Sequence, residues 1–95
     1  MTKEEEILDY LSRNVFDPIL SSPRASRELK SGVNLTIARM KRLDAKGMIQ
    51  YYWSAIIGTE RSTRFARLMK LEGFTRFEEV LEEFRDRFND RWLAS

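Results

Sequence analysis

The 95-residue sequence contains no cysteine and no histidine. Without cysteine there is no disulfide framework, no thiol nucleophile and no thiolate metal site. Without histidine the commonest general base and the commonest zinc ligand are missing, so Ser-His-Asp and Cys-His catalysis are excluded. A carboxylate-only enzyme is the remaining catalytic option, but the glutamates at 78–83 are interpreted as a solvated helix face. We therefore expect no enzyme activity, no catalytic residues, no metal and no cofactor.

Long hydrophobic runs are also missing, since no apolar stretch approaches the roughly 20 residues that a membrane helix needs. The first residues, Met1 to Glu6, are acidic where a signal peptide is basic and then apolar. Hydrophobic residues make up 42% of the chain and charged residues 34%, proportions typical of a globular domain. The sequence predicts a single domain in the cytoplasm with no membrane partner.

Charge is present but unevenly distributed around a net value of only +2. Residues 21–50 carry seven basic and two acidic side chains, and residues 51–76 carry five basic and two acidic ones. The segments on either side, 1–20 and 77–95, are each net acidic. A basic middle indicates a surface that binds a polyanion such as nucleic acid. The alternative is a solvated surface that happens to be basic.

The four glycines and two prolines predict where helices begin and end. Thr2 and Glu5 match a capping box, followed by apolar residues at helical spacing over about 3–13. Asp17-Pro18 indicates a boundary, and Ser22-Pro23 supplies an N-cap and a first helical position. A second helix is therefore expected over about 23–31.

Gly32 is the predicted end of that second helix, because glycine accepts the left-handed conformation of a C-cap. Asn34 is a suitable N-cap for a third helix over 35–46, and Gly47 is expected to close it. Two helices joined by a short turn that contains glycine have the geometry of a helix-turn-helix.

From Met48 the sequence changes character, since residues 48–57 are rich in aromatic and β-branched side chains. That composition predicts a strand, with a turn at 58–63 and a returning strand at 64–71. A second capping box, Thr75 with Glu78, precedes an amphipathic helix over about 76–93. The expected fold class is mainly α with a β-hairpin wing (α+β).

The stretch from Arg39 to Ile49, with the sequence RMKRLDAKGMI, resembles the end of the recognition helix in winged helix-turn-helix transcription regulators. Both the Lrp/AsnC type and the MarR/PadR type use this pattern, and the resemblance covers roughly 4–71. It implies a DNA-binding domain at 1–73 without a ligand-binding domain, and a C-terminal helix at 74–95. In that reading, helix 35–46 enters the major groove, and the wing at about 58–64 follows the backbone or the minor groove.

The residues expected to contact double-stranded DNA lie on helix 2, on the outer face of helix 3 and at the wing tip. Arg39 and Arg42 are the candidates for base edges or adjacent phosphates, because a guanidinium pairs bidentately with guanine or phosphate. Asn34 either contacts DNA or only caps its helix. The complete predicted set is Arg24, Arg27, Asn34, Leu35, Ala38, Arg39, Arg42, Lys46, Arg61 and Arg64.

Large apolar side chains recur along one stripe of the final helix, and the sequence predicts that this stripe packs on a second copy of the chain. The residues of the predicted homodimer contact are Phe77, Leu81, Phe84, Phe88 and Trp92. In the alternative, the helix folds back over helix 1 of its own chain. A dimer would present two recognition helices about 34 Å apart to a palindromic site.

The predicted function is thus a sequence-specific, homodimeric transcription regulator that is associated with the nucleoid. Two alternatives remain open: a winged-helix module that docks on another protein, and a chromatin-type protein that coats DNA through phosphate contacts. The small, simple architecture suggests a prokaryotic or archaeal origin.

Overall fold

The computed structural model describes residues 1–54, 67, 71–73 and 77–95, and all regular structure within these ranges is helical. The predicted α+β class with a β-hairpin wing is therefore wrong, and the described part of the chain is all-α. Its elements are α1 (Lys3–Leu11), a π-helical turn (Ser12–Phe16), α2 (Asp17–Leu20), α3 (Arg27–Met40), α4 (Ala45–Trp53), α5 (Phe77–Arg87) and α6 (Asp90–Ala94).

The first helical stretch runs farther than the sequence indicates, from Lys3 through α1, the π-helical turn and α2. Its predicted N-cap is confirmed, because Thr2 Oγ1 accepts a hydrogen bond from the backbone N–H of Glu5 at 3.1 Å. Pro18 does not end the helix, since it lies at the start of α2 directly after the wider π turn. The change of hydrogen-bond register takes place where proline has no N–H to donate.

The predicted helix-turn-helix around Gly32 is absent, because α3 continues through this glycine without a break. The N-cap is Ser26 instead of Ser22, and Ser26 Oγ accepts from the N–H of Leu29 at 3.1 Å. Leu29, Val33 and Met40 are completely buried and lie on one side of α3. Their common burial favours one continuous helix over the two short helices predicted at 23–31 and 35–46.

The first predicted strand of the wing is α4 over most of its length. Met48, Ile49 and Tyr52 are buried together with Ala45, which is the i, i+3, i+4, i+7 pattern of a helix face. Asp44 caps this helix by accepting from the N–H of Gly47 at 2.8 Å, so Gly47 lies in the first turn of α4 and ends no helix. In the returning strand predicted at 64–71, Arg67 and Leu71 have helical backbone. The hairpin tip at 58–63 lies outside the described residues.

The core joins the N-terminal half of the chain to α5. Phe84 is completely buried, with its ring centroid 4.6 Å from that of Tyr52 and 6.2 Å from that of Tyr10. Phe88 completes the cluster, 5.0 Å from Phe84 and edge-on to Tyr10 at 5.5 Å. Burial, together with the nearby Tyr10 hydroxyl, raises the pKa of Tyr52 well above its ordinary value.

The C-terminal helix is divided where the sequence predicts one continuous element. Asn89 stands between α5 and α6 and caps α6, its side-chain oxygen accepting from the N–H of Trp92 at 2.9 Å. Lys3 holds α6 against α1, because its Nζ donates to the carbonyl of Leu93 at 2.7 Å and lies 5.5 Å from the ring centroid of Trp92. Residues 77–95 therefore belong to the same core as residues 1–54.

Candidate nucleic-acid interface

The outer face of α3 is the surface opposite the buried Leu29, Val33 and Met40. A helix turns through 100° per residue, so the residues on this face are fixed by the positions of the buried ones. All of its members are exposed, and Leu35 is notable as an apolar side chain that is 52% exposed. The outer face comprises Arg27, Glu28, Ser31, Asn34, Leu35, Ala38 and Arg39.

The basic corner is the group of cations at the C-terminal end of this face: Arg39, Lys41, Arg42 and Lys46. All four are exposed, and within the described part of the chain none of them forms an ion pair or a hydrogen bond through its side chain. Asp44 is the one acidic residue between them, and its carboxylate is already engaged in capping α4. The basic corner is therefore available to an anionic partner.

The N-terminal end of α3 is held by a carboxylate from a distant part of the chain. Glu72 accepts from the Ser26 backbone N–H at 2.6 Å and from the Ser26 hydroxyl at 2.7 Å. Arg24 donates from Nη2 to the Glu72 carbonyl at 3.2 Å. A negative group at this position also interacts favourably with the helix dipole. The contacts fix where α3 begins and leave Arg27 on its first turn exposed.

Gly73 is required beside this contact. Its backbone φ is +90°, a conformation that residues with a Cβ rarely adopt. An added Cβ would also overlap the guanidinium of Arg24. The glycine thus allows residues 71–73 to lie against the turn that precedes α3.

Most of the predicted DNA-contacting residues are brought together, although the helices that carry them differ from those expected. Arg27, Asn34, Leu35, Ala38 and Arg39 share the outer face of α3, while Arg42 and Lys46 belong to the basic corner. Arg24 is exposed but is tied to Glu72. The predicted wing residues Arg61 and Arg64 lie outside the described residues.

Sequence reasoning missed Ser31 and Lys41 as members of this surface. Ser31 falls at the end of the predicted helix 23–31, and Lys41 falls within the predicted helix 35–46. Placing 27–41 on a single helical wheel assigns both to the exposed side, so the signal is present once the break at Gly32 is removed.

Three of the five residues predicted to form the homodimer contact pack in or against the core of their own chain. Phe84 and Phe88 are buried in the core of their own chain, and Trp92 is half-buried against it. The side chains of Phe77 and Leu81 lie outside the described set. The folded-back alternative therefore accounts for Phe84, Phe88 and Trp92, and the homodimer itself stays a prediction.

Comparison of the chain with protein families, curated proteins and solved structures finds no match. None of the helices in the described ranges combines the length and apolarity needed to cross a bilayer. Within the same ranges, acidic side chains do not gather into a group of three that could hold a metal ion.

Proposed function

We propose that this chain binds double-stranded DNA through the outer face of α3 and the basic corner, and that it acts as a transcription regulator. The observation that carries the proposal is the unpaired state of Arg39, Lys41, Arg42 and Lys46 at the end of an exposed helix face. Unpaired surface cations bind phosphates by releasing condensed counterions from the duplex.

The shape of the face also supports DNA as the partner. A DNA major groove is about 12 Å wide and admits one α-helix. Ser31 and Ala38 in the middle of α3 are short, so they allow the helix backbone to approach the bases. Arg27 and Lys41 are 14 residues apart, about 21 Å along the helix axis. Cations at this separation are placed to reach the two phosphate backbones that border the groove.

The test is fluorescence anisotropy with a labelled duplex from upstream of the protein's own gene and a scrambled duplex, each across a salt series. We expect the triple variant Arg27→Gln/Arg39→Gln/Arg42→Gln to bind the duplex at least about tenfold more weakly. Its plot of log affinity against log salt should be less steep by about three units, one for each lost phosphate contact.

The matched control is Arg13→Gln/Arg85→Gln/Arg91→Gln, which removes three exposed cations from elements other than α3. Circular dichroism verifies that both variants remain helical. The control should keep most of the wild-type affinity and salt dependence. Equal losses in the two variants, or no binding by the wild-type protein at moderate salt, would overturn the proposal.

The same titration separates two modes of DNA binding. A specific regulator prefers the upstream duplex over the scrambled one by about a hundredfold or more. A protein that coats DNA binds both equally with a steep salt dependence. A homodimer, which we retain as part of the proposal, is expected to bind a palindromic site with two chains per duplex, as measured by analytical ultracentrifugation.

One observation favours a protein partner as the second candidate. Leu35 and Leu43 are 52% and 37% exposed beside the basic corner, and exposed leucines among cations suit an acidic, partly apolar protein surface. In that case Leu35→Ser would abolish binding of the partner, while DNA binding would be weak and indifferent to sequence.

A further inference from the structure

Asn34 has no structural task in α3. The sequence predicts it as an N-cap, but Ser26 fills that role and Asn34 lies in the middle of the helix. Its side chain is exposed and forms no hydrogen bond within the described part of the chain. Asparagine is an unfavourable residue in a helix interior, because its amide competes for backbone groups. Its position is therefore explained by neither capping nor helix stability.

The surroundings of Asn34 make its amide accessible to a flat partner. Ser31 and Ala38, which lie one turn away on either side, are short, and Leu35 stands next to it on the outer face. Lys30, one turn back on the other flank, is half-buried. The long exposed cations Arg27 and Lys41 are each two turns away, about 10 Å along the axis. The centre of the face is thus neutral. Its C-terminal end is basic, while Arg27 at its N-terminal end lies beside Glu28.

We propose that Asn34 reads an adenine in the major groove when the outer face of α3 lies against DNA. This inference rests on the proposed function and assigns a sequence preference to it. The amide oxygen would accept from adenine N6–H and the amide nitrogen would donate to adenine N7, a bidentate pair that the other bases do not offer. Leu35 and Ala38 supply apolar contact for the methyl group of a neighbouring thymine.

This assignment moves base reading away from the arginines that the sequence analysis favoured. Arg39 and Arg42 lie at the C-terminal end of the face, where phosphates border the groove. There a guanidinium positions the protein on the duplex and carries little sequence information. Asn34 is the polar side chain at the centre of the face with both a donor and an acceptor matched to one base.

The experiment selects binding sites for the full chain from a pool of randomised duplexes, then measures anisotropy on the selected site. We expect a required A·T pair at one position, whose replacement weakens wild-type binding about tenfold or more. Replacing that adenine by 7-deazaadenine, which lacks the N7 acceptor, should weaken wild-type binding and leave Asn34→Ala unaffected. The matched control Gln50→Ala removes an exposed amide from α4 and should behave as the wild type does.

The outcomes distinguish this inference from the proposed function. Selection of the same A·T pair by Asn34→Ala, or wild-type binding that is indifferent to 7-deazaadenine, overturns the role of Asn34 while DNA binding stands. Selection of a required guanine whose recognition depends on Arg39 also overturns the role of Asn34 while DNA binding stands. Base reading would then be assigned to Arg39. Failure of the wild-type chain to bind any duplex overturns both proposals.

Discussion

The two longest helices of the described structure, α3 and α5, bury one side in the same way and differ in what they expose. Each places large apolar side chains in the shared core, among them Val33 on α3 and Phe84 on α5. Outside, α3 exposes the cations Arg27 and Arg39 and one carboxylate, Glu28. By contrast, α5 exposes four carboxylates and two arginines, namely Glu79, Glu82, Glu83, Asp86, Arg85 and Arg87. Burial therefore determines the fold, and the outer side chains determine which partner approaches.

The difference in exposed charge has a consequence for any polyanion. Under the proposed function, the basic corner would face DNA and the net acidic surface of α5 would face away from it. Three predictions test whether stability and binding are divided between the two helices in this way.

The largest effect is expected for Phe84→Ala, which removes a completely buried ring packed on Tyr10, Tyr52 and Phe88. Large-to-small substitutions of buried aromatic residues cost about 3–5 kcal/mol, from lost burial and the cavity left behind. Urea denaturation gives the free energy of unfolding. The folded fraction should keep the wild-type affinity for DNA.

If Phe84→Ala does not fold, Phe84→Leu is the milder variant. Its stability should lie between that of the wild type and that of Phe84→Ala. A loss of DNA affinity by the folded Phe84→Leu protein would show that α5 contributes to binding. Stability and DNA binding would then not be divided between α5 and α3.

The next effect concerns Tyr52, whose pKa is raised by burial against α5. Below about pH 10 the hydroxyl is protonated in both the folded and the unfolded chain and contributes no pH dependence. Above about pH 10 the unfolded chain releases this proton and the folded chain keeps it, so stability falls by about 1.4 kcal/mol per pH unit. Urea denaturation between pH 9 and 11 should therefore show a less steep decline for Tyr52→Phe than for the wild type. Equal declines would contradict the burial of this hydroxyl.

The smallest effect is expected at the start of α3, where Ser26→Ala removes the N-cap and the hydroxyl that donates to Glu72. Loss of a serine N-cap costs about 0.5–2 kcal/mol. Thermal denaturation followed by circular dichroism measures the change. Ser31→Ala, in the middle of the same helix, is the control and should be neutral or slightly stabilising because alanine is the better helix former. If both variants behave alike, the cap at Ser26 does not stabilise α3.

Local signals predicted some helix ends and misplaced others. Thr2 caps α1 as expected, because both contacts of this cap are made with Glu5, three residues away in the sequence. The sequence predicts Ser22 as an N-cap because a proline follows it. The structure favours Ser26, because its hydroxyl serves both Leu29 and Glu72. The contact with Glu72 spans 46 residues, so the residues around Ser26 do not predict it.

The predicted wing rests on residue type, the aromatic and β-branched composition of residues 48–57. Aromatic and β-branched residues favour strands only by fitting a half-buried surface, and tertiary packing overrides that preference. The helical spacing of Ala45, Met48, Ile49 and Tyr52 was present in the same stretch and agrees with the structure. Because residues 48–54 are helical, the described part of the chain shows no strand of the predicted wing, the element that gives the winged-helix family its name.

The exposure of several candidate interface residues agrees with the prediction, although the predicted fold that carries them was wrong. Residues 35–40 are helical both in the predicted arrangement and in the structure, so Leu35 and Ala38 face outward in each. The predicted turn at Gly32 is wrong, because a glycine in a helix costs only about 1 kcal/mol and burial of Leu29 and Val33 on one side exceeds that cost.

The contact between Tyr10 and α5 also constrains when the protein can fold during its synthesis. The Tyr10 hydroxyl donates to Glu83 at 3.0 Å across 73 residues, and Phe84 and Phe88 cover the ring. A nascent chain that has released only α1 to α4 from the ribosome still exposes this side of Tyr10 and Tyr52 to solvent. Closing so long a loop carries an entropic cost that the aromatic cluster helps to offset. The aromatic cluster therefore forms only after α5 has been translated.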